Sequence, residues 1–152
     1  MMQNFLSISA ASKKATLFIL LFISVCTNGL VAQTTSFITY GVEDGLVQSQ
    51  IKSLVQDNDG SLWIGTLAGL SRYDGRTFEN FTKKDGLVED WITVSYKDSK
   101  GDLWFGHWAG GVSKFNSKLK KFESLNLEEY THFHTITAIK EDLSGFFWIG
   151  TE

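Results

Sequence analysis

The chain of 152 residues contains no proline, a single cysteine, two methionines and three histidines. One cysteine leaves no pair for an internal disulfide, so the fold must be held together by packing alone. Positive charge is scarce and scattered. Fourteen Lys and Arg stand against 17 Asp and Glu, for a formal charge of -3, and the cationic runs stop at Lys13-Lys14, Lys83-Lys84 and Lys118–Lys121. No clustered cationic face of the kind nucleic acid requires is present, which argues against that partner. The longest apolar run, Ala15–Cys26, falls short of the roughly 20 residues a membrane helix needs. The 14 glycines follow no G-X-Y period, which excludes collagen, and 43% hydrophobic against 20% charged side chains excludes a disordered chain. What remains is one ordinary folded domain or part of a larger one.

The first 32 residues read as an address. Lys13 and Lys14 precede the apolar run Ala15–Cys26, and the small residue Ala32 follows it before Gln33. That order of charge, apolar stretch and cleavage site is a secretory signal peptide over 1–32, so the domain is expected to be exported to the periplasm. A lipid-anchored reading fails because Val25, and not a small residue, precedes Cys26. Removal of 1–32 takes Cys26 away and leaves a domain over 33–152 with 12 Lys and Arg against 17 Asp and Glu, a net charge of -5.

Internal repetition is the dominant feature. Asp57–Thr66 (DNDGSLWIGT) returns as Asp98–His107 (DSKGDLWFGH) and as Asp142–Thr151 (DLSGFFWIGT). Trp63, Trp104 and Trp148 are spaced by 41 and 44 residues, with Gly60, Gly101 and Gly145, and Gly65, Gly106 and Gly150, in step. Upstream, Phe37, Tyr40 and Asp44-Gly45-Leu46 precede Phe78, Phe81 and Asp85-Gly86-Leu87 by 41 residues. Repetition at this period decides the fold before any local propensity does.

Within each unit apolar and aromatic residues alternate between Gly, Asn and Asp punctuation, which is strand-and-turn chemistry. The first unit divides into strands 51–56, 61–66, 69–73 and 78–81. Four strands in just over forty residues make one propeller blade, so the predicted class is all-β, an incomplete β-propeller. Units around 51–81 and 92–125 are whole and 135–152 is half of a third, about two and a half blades. Known rings use at least four. The expectation is therefore the N-terminal piece of a longer polypeptide, in which the lone strand 36–40 closes the ring. The tryptophans of the motif are expected in the core between blades.

The unit written by Ile51–Phe78, I-x-x-L-x-x-D-x-x-G-x-L-W-I-G-T-x-x-G-L-x-R-Y-D-G-x-x-F, resembles the two-component regulator propeller repeat, over essentially all of 37–152. The resemblance implies the exported sensor region of a hybrid histidine kinase. There, propellers are followed by a further β-domain, a membrane span and a kinase core, none of which lies in this chain. It also implies a small-molecule or oligosaccharide ligand, and further blades of the same polypeptide as partners. The chain departs from the pattern where Glu129-Tyr130-Thr131 replaces Asp-Gly-Leu, and where His107-Trp108-Ala109-Gly110 replaces the shorter Thr66-Leu67-Ala68.

If the first strand of a blade starts at the top, the loop between its second and third strands and the loop between blades share that rim, while the Asp-x-x-Gly turns lie opposite. The segments that differ between repeats, 88–91, 107–110 and 130–134, then cluster on one rim, and binding residues commonly sit on loops carried by a rigid frame. The candidate ligand-binding residues are Trp91, Trp108 and Tyr130, to stack on a sugar ring, and His107, His132 and His134, to bond hydroxyls.

Other chemistry is weaker. His132 and His134 share one side of an extended segment, but no third ligand is identifiable, so no metal and no cofactor are expected. The aspartates recur with the repeat and read as turn formers, Glu89-Asp90 and Glu128-Glu129 as solvated loop charge, and Lys118–Lys121 as a hairpin. No G-x-S-x-G and no phosphate-cradling glycine loop occurs, so no catalytic residue is assigned and the segment is not expected to be an enzyme. Fold alone leaves two alternatives to a sensor: a secreted polysaccharide lyase or glycosidase, and a structural or protein-binding propeller.

Overall fold

The computed structural model describes residues 36–125, 127 and 134–152. The proposed signal peptide, Tyr130 and His132 lie outside the described residues. Contacts divide the chain into Met1–Ile38 and Thr39–Glu152. In the first unit only 36–38 are described, and they carry no regular structure. The strand expected over 36–40 is not formed, because among the described residues no sheet offers it a neighbour.

The second unit is all-β. Strands β1 (Ile51–Gln56), β2 (Leu62–Thr66), β3 (Leu70–Tyr73) and β4 (Phe78–Phe81) form an antiparallel sheet in sequence order. A second four-stranded sheet is built the same way from β5 (Ile92–Lys97), β6 (Leu103–His107), β7 (Val112–Asn116) and β8 (Lys121–Leu125). Strands β9 (Ile136–Glu141) and β10 (Phe147–Thr151) pair as a hairpin. The registers repeat too: Val55, Trp63, Arg72 and Glu79 make one row across the first sheet, and Tyr96, Trp104, Lys114 and Glu123 the corresponding row of the second.

Alternation sends each row to one face. Trp63 therefore leaves its own sheet toward the second, where its ring centroid lies 4.6 Å from Phe115 and 5.9 Å from Phe105. Trp104 repeats this, stacking on Phe147 at 4.1 Å. The cores are thus between sheets: Trp63, Leu70, Leu87, Ile92, Leu103, Phe105 and Phe115 in one, and Trp104, Val112, Ile136 and Ile139 in the next.

The Asp-x-x-Gly turn does more than reverse the chain. Asp57 Oδ1 accepts the Asp59 and Ser61 N–H groups at 3.0 and 2.8 Å, while Oδ2 accepts the indole N–H of Trp63 at 2.9 Å. Asp98 and Asp142 do the same for Trp104 and Trp148, at 2.8 and 2.9 Å. The aspartates are turn formers, as expected, and also clamps that fix the direction of each indole.

Gly65 and Gly106 are required by the approach of sheets. A Cβ on Gly106 would stand 2.5 Å from Ile136 Cγ2 and 2.7 Å from Val94 Cγ1. Gly106→Ala is expected to cost about 1–3 kcal/mol by overpacking. Gly150→Ala, whose Cβ would come no nearer than 3.3 Å to a neighbour, serves as the control. Denaturant midpoints of the two variants check the difference.

Candidate functional site

Two connections carry the variable residues. The first runs from β4 to β5. Thr82 caps a 3-10 turn over Lys83–Asp85, the Asp85 carboxylate accepts the Thr82 N–H at 2.8 Å, and Gly86 takes φ 107°. The chain then crosses the second sheet, with Val88 N–H donating to Ser113 Oγ at 2.9 Å, and Trp91 follows just before β5. The second connection is the turn between β6 and β7. Here Trp108 N–H donates to the Trp91 carbonyl at 3.1 Å, and Ala109 N–H to Glu89 Oε2 at 2.8 Å.

These bonds bring Trp91 and Trp108 face to face, with ring centroids 4.8 Å apart and planes 10° from parallel. Trp108 is 49% exposed. Half-buried Trp91 backs the exposed Trp108, so the stacked pair offers apolar aromatic surface to solvent. Such a surface suits the apolar face of a ring that also carries hydroxyl groups.

His107 takes a different place from the rim position expected of it. As the last residue of β6 it shares a face with Leu103 and Phe105, alternation turns it inward, and it is fully buried, like its counterpart Thr66. Its Nε2 pairs with Ser113 Oγ at 2.8 Å. That oxygen also accepts the Val88 N–H, and the hydroxyl, with one proton and a second lone pair, fits either tautomer of the neutral ring. Nδ1 is buried beside the main chain of Glu89 and Trp91, with no hydrogen-bond partner. Burial pushes the His107 pKa down to about 4, against weaker upward pulls from the carbonyls of Glu89 and Trp91 and from Asp90.

The titration of His107 has a definite sign. Its folded pKa lies below the unfolded 6.5, so the unfolded chain binds the extra proton between these values. The stability contribution is full above pH 6.5 and lost as pH falls toward 4, at most about 3 kcal/mol. Wild-type denaturant midpoints are expected to fall from pH 6.5 to 4.5, and those of His107→Thr, which carries the residue of the first repeat, to fall less.

His134 is described and exposed, two residues before β9. It holds the place that Asp90 holds before β5. Glu89, expected to be solvated loop charge, instead anchors the Trp108 turn through Ala109. Only its position beside the variable loops pointed to it. Among the described residues no cluster of three or more His, Cys, Asp or Glu is placed to hold a metal.

A profile of two-component regulator propeller repeats matches residues 45–68. A histidine kinase of Formosa agariphila is 38% identical over 64 residues, which is 41% of this chain and 5% of that protein. Among solved structures, the extracellular domain of a protein described as a hybrid two-component system of B. thetaiotaomicron superposes with a TM-score of 0.68 at 25% identity, over 78% of this chain and 17% of that one. A second such domain from the same organism gives a TM-score of 0.58 at 24% identity, over 68% of this chain and 14% of that one, and shares the fold. The chain thus spans a small part of the proteins it matches. Among the described residues no helix is long and apolar enough to cross a membrane.

Proposed function

We propose that this chain, which a profile of two-component regulator propeller repeats matches over residues 45–68, is the ligand-sensing propeller of an exported sensor, its sheets being successive blades of a ring completed by further repeats of the same polypeptide. The ligand is an oligosaccharide, taken up at the rim of the second blade, and its binding is passed to a histidine kinase located elsewhere in the polypeptide. Residues 1–32 direct export to the periplasm, and the segment itself carries no catalysis. The observation that carries this reading is the Trp91–Trp108 stack, whose Trp108 ring is exposed and which is built on the connections where the repeats differ. Tyr130, His132 and His134 belong to the third variable segment, 130–134, and are proposed to bond sugar hydroxyls.

The test is a titration of the exported chain against a panel of neutral and acidic oligosaccharides, read by tryptophan fluorescence. Trp108→Ala is expected to weaken binding about tenfold, the ~1.4 kcal/mol of one stacking contact, at unchanged thermal stability. Equal affinity in wild type and variant would remove the stack from the ligand site.

A further inference from the structure

The contact between consecutive sheets uses the same few repeat positions each time, and each can be followed along the chain. On the receiving side, Ile92 and Ile136 are fully buried, seated over Gly65 and Gly106 of the preceding sheet. Ile51 holds the same position in the first repeat and is 48% exposed. Three residues on, Ile139 is 6% exposed and its counterpart Leu54 is 57% exposed. The aromatic walls repeat as well. Phe81, Phe115 and Phe122 surround Trp63, and their counterparts Tyr40, Tyr73 and Phe78 are assembled in the same way, with centroids 4.7–5.8 Å apart. The Tyr73 hydroxyl donates to that of Tyr40 at 2.9 Å.

On the giving side the series also runs on. Trp148 is held by Asp142 as Trp63 is by Asp57, yet it is 67% exposed. Gly150 is the successor of Gly65 and Gly106, and a Cβ there would meet only Thr137 and Ala138 of its own hairpin. The first sheet thus presents an assembled aromatic wall that no described tryptophan enters, and the hairpin β9–β10 presents an aligned indole that enters no wall.

We infer that Tyr40, Tyr73 and Phe78, with Ile51 and Leu54, form a socket for the tryptophan-and-glycine face of another repeat of the same polypeptide. The occupant follows from continuity: the socket extends the series of two sheet contacts already made, position by position. This deepens the reading that further repeats complete the ring, and it is independent of the ligand at the rim. The contact is heterologous, since donor and socket are different surfaces. Trp148 and Gly150 present the donor face themselves, so a second molecule of the chain is the probe.

At high concentration the chain is expected to associate head to tail, with a blue shift of Trp148 emission as its indole leaves water. Tyr73→Arg closes the socket and keeps the donor, and Trp148→Ala removes the donor and keeps the socket. Each variant alone is expected to sediment as a monomer, and an equimolar mixture of the two as a dimer that grows no further. Tyr73→Phe, which keeps the ring, restores association. Wild-type chain that stays monomeric at millimolar concentration overturns the inference. So does self-association of either single variant at wild-type strength, which marks unspecific apolar contact, or a mixture that stays monomeric. Oligosaccharide affinity at Trp108 moves in none of these outcomes, so failure of the socket and failure of the sensing reading are told apart.

Discussion

Trp63→Ala is expected to cost about 3–5 kcal/mol, a large share of the ~5–15 kcal/mol that holds a domain of this kind folded. The indole is fully buried, stacks on Phe81 at 5.4 Å, meets Phe105, Phe115 and Phe122, and lies 5.8 Å from the Arg72 guanidinium carbon. Its loss empties the space between the first two sheets, and the β-branched and aromatic side chains around it have little freedom to fill the gap. It also strips the Asp57 carboxylate of an indole N–H while leaving the carboxylate buried. The same substitution at Trp148, mostly in water, is expected to stay within about 0.5 kcal/mol. Paired denaturant unfolding curves check both, and equal effects at the two positions would mean that the indoles do not bridge sheets.

Asp98→Ala is the second large effect. One carboxylate satisfies the main-chain N–H groups of Lys100 and Asp102, at 2.9 and 2.8 Å, and the Trp104 indole at 2.8 Å. Alanine leaves these donors unmet at a largely buried turn, each costing about 1–3 kcal/mol when water cannot replace the bond. A total loss of about 3 kcal/mol or more is expected, and the Trp104 emission should shift to the red. Asp98→Asn keeps the Oδ1 contacts but turns an amide N–H2 toward the indole N–H, so an intermediate loss is expected. Asp142→Ala removes the same three bonds where solvent reaches them, and should cost much less. Thermal melts of the three variants rank these costs.

Much of the fold is legible in the residues because the repeat states each element more than once. The expected strand 51–56 is β1, 78–81 is β4, and the strands between them fall within one residue of 61–66 and 69–73. The spacing of Asp to Trp, six residues in each of Asp57–Trp63, Asp98–Trp104 and Asp142–Trp148, is also visible. That it encodes a hydrogen bond is not visible, because the bond depends on the side-chain rotamer of an interior tryptophan. The aromatic content of the rim could be read, but not the stacking of Trp91 on Trp108, which joins two loops through the Trp91 carbonyl and Glu89. His107 looked like loop because it begins the departure from the first repeat. Strand alternation, together with the matching position of Thr66, carries the information that turns it inward. The segment 36–40 has the pattern of a strand without a neighbouring strand to pair with among the described residues.

Asp-clamped tryptophans form the scaffold, and the proposed recognition rim lies at the other ends of the strands. Hydrogen exchange of residues 33–152, with and without a saturating oligosaccharide identified in the titration panel, tests that separation most directly. Added protection is predicted over 88–91 and 107–111, with the turns 57–60 and 98–101 unchanged. Protection confined to those turns, or none at Trp91 and Trp108 while the sugar is bound, would contradict it.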